Sequence, residues 1–164
     1  MIGSVERPDR AKTASTEVQS VERLVRIGVD SGAGVSVWPK DLCKDYPTKQ
    51  TEASRKGVKY SAAGVGSAAI VNEGERRIEL ETNGNRRGVR VQVAAVRKPL
   101  VAVSAMCDAG HDVHFLASGE AYAVRRETGE VTEFERQKGV FEIVARVLPY
   151  SSLVGAGGGG QPQA

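Results

Sequence analysis

An all-β fold with one short helix is what this sequence predicts, and three observations predict it. Apolar residues recur with a period of two through the middle of the chain, the pattern of strands that bury one face. Turn formers are abundant, with 19 Gly and 6 Pro among 164 residues, a proportion that suits a turn-rich chain better than a helix bundle. Asn83-Gly84 stands between two alternating runs, and a type I′ hairpin turn needs the positive φ that both residues tolerate. The length fits one compact domain of the usual 100 to 200 residues or so.

Residues 1–22 hold one Pro, many small polar residues and no apolar period, so a disordered N-terminal tail is expected. The first strand is expected over 24–29, where Val25, Ile27 and Val29 alternate, and a second apolar run follows at 35–38. Ile78 and Leu80 mark the strand before Asn83-Gly84, and Val89, Val91 and Val93 the strand after it, with Arg90 and Gln92 turned to water. The stretch 104–110 reads as the helix, with Ser104 as its cap and Gly110 placed to end it. Further strands are expected at 113–115, 122–124, 131–134 and 140–147, separated by the turn signals Thr128-Gly129 and Lys138-Gly139. Residues 151–164 close in GAGGGGQPQA and are expected to be a Gly-rich disordered tail. The folded domain is therefore placed at 23–150.

Lys and Arg number 23 against 20 Asp and Glu, a net charge of +3 that permits contact with nucleic acid without demanding it. Two cysteines, Cys43 and Cys107, are too few for the disulfide framework of a small secreted domain or for a structural zinc site. Reduced thiols in the cytoplasm are the expectation. The apolar stretches fall short of the roughly 20 residues that cross a bilayer, so no membrane association is expected.

The sharpest candidate for chemistry is Asp30-Ser31-Gly32-Ala33, directly after the first strand. An ionisable group at the end of a buried strand is desolvated by its neighbours, which prepares a carboxyl group for acid and base work. Gly32 permits close approach of a backbone or ligand, and Ser31 offers a hydroxyl. The same four residues also suit a plain turn between strands.

Downstream residues favour the first reading. Val29-Asp30-Ser31-Gly32-Ala33 resembles the active-site loop of retropepsin-like aspartic proteases. Lys98-Pro99-Leu100-Val101-Ala102-Val103-Ser104-Ala105-Met106, followed by Asp108-Ala109-Gly110-His111-Asp112-Val113-His114-Phe115, is similar to a second stretch found in the protease segment of copia-type retrotransposon polyproteins. Many retropepsins have Gly where this chain has Ala102.

The resemblance covers about 23–148 and implies a closed, barrel-like all-β fold with one lobe per chain. It also implies an aspartic endopeptidase that processes a polyprotein as a homodimer. Asp30 would be catalytic, acting with its symmetry mate because one chain brings one such aspartate. Ser31, Gly32 and Ala33 would form the active-site loop, with Leu100, Val101 and Ala102 supporting it. A flap at 60–67, with Tyr60, Ala63, Gly64, Val65 and Gly66 as its substrate-binding residues, would close over an extended peptide. No cofactor is implied. Asp108 as a second aspartate within the chain is disfavoured, because Asp108-Ala109-Gly110 lacks the hydroxyl residue and falls on the expected helix. The rival readings are an inactive peptide-binding or dimerisation module and a basic RNA-binding domain.

Other motifs point to little. Gly64-Val65-Gly66-Ser67-Ala68-Ala69 fits the dinucleotide fingerprint in letters, yet lacks a buried strand before it and a helix after it. His111 and His114 fall around a strand and face opposite ways, so no metal site is expected. Arg76, Arg77, Arg86, Arg87 and Arg90 could form a basic patch, but Glu73, Glu75, Glu79 and Glu81 are interleaved with them, which favours a solvated hairpin of mixed charge.

Overall fold

A computed structural model of the chain describes residues 23–61 and 69–155. The elements are β1 (Leu24–Asp30), β2 (Val37–Pro39), α1 (Glu52–Arg55), β3 (Lys59–Tyr60), β4 (Ile70–Val71), β5 (Gly74–Thr82), β6 (Asn85–Ala94) and β7 (Leu100–Ala102). They continue as α2 (Val103–Asp108), β8 (His111–Phe115), β9 (Ala121–Arg125), β10 (Val131–Gln137), β11 (Val140–Val147) and α3 (Tyr150–Gly155). Nine strands form one sheet in the order β1-β7-β2-β6-β5-β11-β10-β9-β8. Because β1 also pairs antiparallel with β11, the first six strands of that order close into a ring. The all-β, single-lobed, closed architecture expected from the sequence is the one the chain forms.

The turns follow their residue chemistry. Asn83 and Gly84 both take positive φ, 50° and 76°, and join β5 to β6 through a ladder running from Gly74↔Val93 to Thr82↔Asn85. Lys138 and Gly139 repeat the arrangement, at 50° and 80°, between β10 and β11. Gly110, at φ 90°, follows α2 and donates to Cys107 O at 2.9 Å, ending the helix where expected.

The ring closes around Val25, Ile27, Ile78, Leu80, Val91, Ile143, Ala145 and Val147, the inward members of their alternating strands. Trp38 and Tyr46 are also fully buried, and each satisfies its polar atom on backbone. The Trp38 indole N–H donates to Leu42 O at 2.8 Å and the Tyr46 hydroxyl to Leu148 O at 2.5 Å, as burial of such groups requires. Gly74 is the one glycine among the described residues that packing dictates. A Cβ there would stand 2.6 Å from Lys49 O, where 49 and 75 form an isolated bridge.

Several expectations are corrected. Among the described residues there are three short helices where one was expected. Thr51 and Ser54 cap α1 reciprocally, a capping box in which Ser replaces the usual Glu or Gln. Helix α3 begins at Tyr150, the last residue assigned to the domain, and continues through 151–155 of the stretch assigned to the C-terminal tail; it packs Tyr150 and Leu153 on the core while Tyr150 N–H donates to Asp45. Ser104 does not cap α2: the N-cap is Ala102, without a side-chain bond, because the helix leaves β7 with no intervening turn. Arg76 is not part of a surface patch. It falls on the inward face of β5, is 6% exposed, and donates to Thr48 Oγ1, Leu42 O and Lys40 O. Both cysteines are free thiols, Cys107 exposed and Cys43 half-buried.

Candidate active site

β1 carries Asp30 to the open end of the ring. Its last three residues pair in parallel with β7, as Gly28↔Leu100, Val29↔Val101 and Asp30↔Ala102. Gly28 N–H donates to Pro99 O at 3.0 Å. The second similar stretch thus lies beside the first, with buried Val101 and Ala102 behind the loop and α2 starting directly after them.

Three side-chain bonds shape the loop that follows. Asp30 Oδ1 accepts from Gly32 N–H at 2.7 Å, and a Cβ on Gly32 would approach that same oxygen to 3.3 Å. A side chain at 32 would therefore crowd the carboxylate. Ser104 Oγ donates to Ala33 O at 3.4 Å, tying the loop to α2. Buried Ser36 accepts from Ala102 N–H at 3.1 Å through its Oγ, and its carbonyl accepts from Gln92 N–H, which fixes the return into β2. Ser31 is exposed and its hydroxyl makes no hydrogen bond among the described residues.

Asp30 is half-buried and opens on a cleft of about 770 Å³. Gly32, Ala33, Tyr60 and Leu100 line the same cleft, with Val37, Ile70, Val96, Lys59 and Lys98. Asp30, Gly32 and Ala33 of the expected active-site loop, the expected flap residue Tyr60 and the expected support residue Leu100 are therefore brought together, while Ser31 does not line the cleft. Val101 and Ala102 stand behind the loop rather than in the cleft. The remaining flap residues, Ala63, Gly64, Val65 and Gly66, lie outside the described residues.

Tyr60 is held from below. Asn72, 2% exposed, donates through Nδ2 to the Tyr60 hydroxyl at 2.6 Å and to Gln92 Oε1 at 2.9 Å, while its Oδ1 accepts from Gly74 N–H. Gln92 in turn donates to Glu75. The phenol keeps its own proton to offer into the cleft.

A second, smaller cavity of about 280 Å³ lies on the other side of β7, lined by Val101, Met106, Leu80, Ile143, Arg87 and His111 among others. Leu100 faces the cleft and Val101 this cavity, as alternation along a strand requires. Burial holds His111 below the ordinary histidine value, although Met106 O faces its Nδ1 at 3.2 Å. No group of three or more His, Cys, Asp and Glu that could hold a metal ion occurs among the described residues.

Apart from buried Arg76, the arginines of the β5–β6 hairpin are matched by carboxylates: Arg77 and Arg86 by Glu79, Arg90 by Glu75, and Arg87 by Glu130. The hairpin is a mixed-charge surface. No helix among the described residues is long and apolar enough to cross a membrane.

No protein-family model and no curated protein matches the chain. Among solved structures it is similar to EIAV protease complexed with the inhibitor HBY-793, at 15% identity and a TM-score of 0.33, with 67% of this chain and 94% of that chain covered. At that distance the likeness assigns no role to any residue.

Sequence reasoning missed Ser36, Asn72, Lys59 and Lys98. Ser36 and Asn72 carry no local signal, because each is defined by partners far along the chain. The two lysines stand in separate segments that only the fold unites.

Proposed function

We propose that the protein is a retropepsin-like aspartic endopeptidase that cuts peptide bonds of a polyprotein as a homodimer. The observation that carries this reading is Asp30 at the open end of the β1–β7 parallel pair, facing a cleft whose volume falls within the usual 300–1,000 Å³ or so of ligand sites. A single carboxylate explains general base catalysis but leaves the scissile carbonyl unpolarised. The symmetry mate supplies the missing acid. Two carboxyl groups about 3 Å apart share one proton, so one accepts a proton from the attacking water while the other gives its proton to the carbonyl oxygen. The tetrahedral intermediate then collapses as the C–N bond breaks and the amine leaves with a proton.

Ser31, exposed and without a side-chain hydrogen bond among the described residues, is suited to hydrogen-bond across the dimer. Gly32 keeps the carboxylate uncrowded. Tyr60, braced by Asn72, offers its hydroxyl to the backbone of an extended peptide. Free Cys43 and Cys107 suit a reducing, cytoplasmic site of action.

The test is cleavage of an unstructured peptide mixture by the wild type and by Asp30→Asn. Wild-type cleavage that a statine-type inhibitor blocks, and its loss in Asp30→Asn at unchanged thermal stability, supports the assignment. Peptide binding without turnover by both proteins replaces it with a binding module of the same fold.

A further inference from the structure

Resting on that reading, we propose that the cleft selects acidic peptides: substrates with an apolar side chain at the scissile bond and Asp or Glu within a few residues of it. The lining has two chemical zones. Val37, Ile70, Val96 and Leu100 give an apolar floor, while Lys59 and Lys98 are exposed at the same cleft. Among the described residues Asp30 is the only acidic one of the lining.

The lysines are available for a partner. Among the described residues the lysines within salt-bridge distance of a carboxylate are Lys40, Lys44 and Lys56, and Lys59 and Lys98 have none. The adjoining stretch 61–69, Ser-Ala-Ala-Gly-Val-Gly-Ser-Ala-Ala, has no ionisable side chain to neutralise them. Each chain thus brings two ammonium groups and one carboxyl group to the cleft. In a dimer whose two carboxyl groups share a proton, positive charge outweighs negative, on both sides of the scissile bond by symmetry. An incoming carboxylate finds a complementary field, and an incoming lysine meets repulsion.

The lysines also differ in their anchorage. Lys59 sits on the β3–β4 hairpin next to Tyr60, whereas Lys98 precedes Pro99, whose carbonyl accepts from β1. One charge therefore sits on the β3–β4 pair and the other is fixed to the barrel.

The experiment compares three peptides with one apolar core and Glu, Gln or Lys flanks. Cleavage is measured at about 0.05 M and about 0.5 M salt, where screening removes exposed electrostatics. The Glu peptide is expected to show a roughly three- to tenfold lower KM than the Lys peptide at low salt, with kcat little changed and the difference shrinking at high salt. The order should invert in the double variant Lys59→Glu/Lys98→Glu. Equal KM values for the three peptides, or a preference that survives the double variant, would overturn the proposal while leaving the peptidase intact.

Binding of the same peptides to Asp30→Asn, read by fluorescence anisotropy, tests the charge preference without turnover. Failure of the enzyme reading alone would leave that preference visible. A single-stranded oligonucleotide of matched charge serves as competitor. Displacement by it as strong as by the Glu peptide would mark a general polyanion surface and also overturn the proposal.

Discussion

The two walls of the barrel are built in different ways. In the β5–β6 wall a continuous antiparallel ladder runs the full length of β5, from Gly74 to Thr82, and its inward residues Ile78 and Leu80 are almost wholly buried. In the β1–β7–β2 wall, β7 meets β1 over three residues and β2 at a single pair, Val37↔Leu100. Side chains supply there what the ladder does not: Ser36 on Ala102, Ser104 on Ala33, and Asp30 on Gly32. Stability is concentrated in the first wall and the candidate chemistry in the second. A thin ladder leaves room for a cleft and lets a few specific bonds set the geometry of a carboxylate.

Mutations should separate the walls. Ile78→Ala, at a position 0% exposed, should cost about 2–5 kcal/mol of stability, the range for emptying a well-packed core site, as read from the denaturant midpoint. Peptidase activity of the fraction that stays folded should be unchanged.

Ser36→Ala should cost less, about 1–3 kcal/mol, because it leaves the Ala102 N–H without an acceptor in a fully buried position. Its larger effect should be on kcat/KM, lowered by up to roughly a hundredfold through displacement of the Asp30 loop. An Ile78→Ala protein as inactive as Ser36→Ala would erase the distinction between the walls.

The smallest effect concerns a tie between the start of β1 and the segment after β2. Arg23 donates to both Asp45 oxygens at 2.7 Å, and Tyr150 N–H is a third donor. The Arg23 hydrogen bonds, opposed by partial burial, hold the Asp45 carboxyl below its ordinary value. The unfolded chain takes up this proton more readily than the folded one. The contribution is therefore complete above the ordinary carboxyl value and is lost as pH falls through the depressed one. The pair is substantially exposed, so solvent screening keeps it under about 1 kcal/mol. Thermal melts between about pH 6 and pH 3 should show a shallower acid decline in Asp45→Asn than in wild type.

The same contrast governs what the sequence reveals. The long wall is legible: alternation at Val89, Val91 and Val93, and the turn residues Asn83-Gly84, state strand and register locally, as Lys138-Gly139 does between β10 and β11. Arg76 escapes the pattern because its inward placement depends on acceptors at Lys40, Leu42 and Thr48, none of them near in sequence. Strands of two or three residues, such as β2, β3, β4 and β7, are too short to display a period, and their hydrogen bonds come from distant partners. At the site, Asp30-Ser31-Gly32 could be read because its motif is contiguous. Ser36, Asn72, Lys59 and Lys98 could not, since the fold alone gathers them.

The central claim is that Asp30 acts only beside its counterpart from a second chain. Refolding wild type and Asp30→Asn together at constant total protein tests it directly, with peptidase rate plotted against the wild-type fraction. Random pairing predicts a rate that follows the square of that fraction, so an equal mixture keeps about a quarter of the activity. A rate proportional to the wild-type fraction would show that each chain works alone, and would contradict the account.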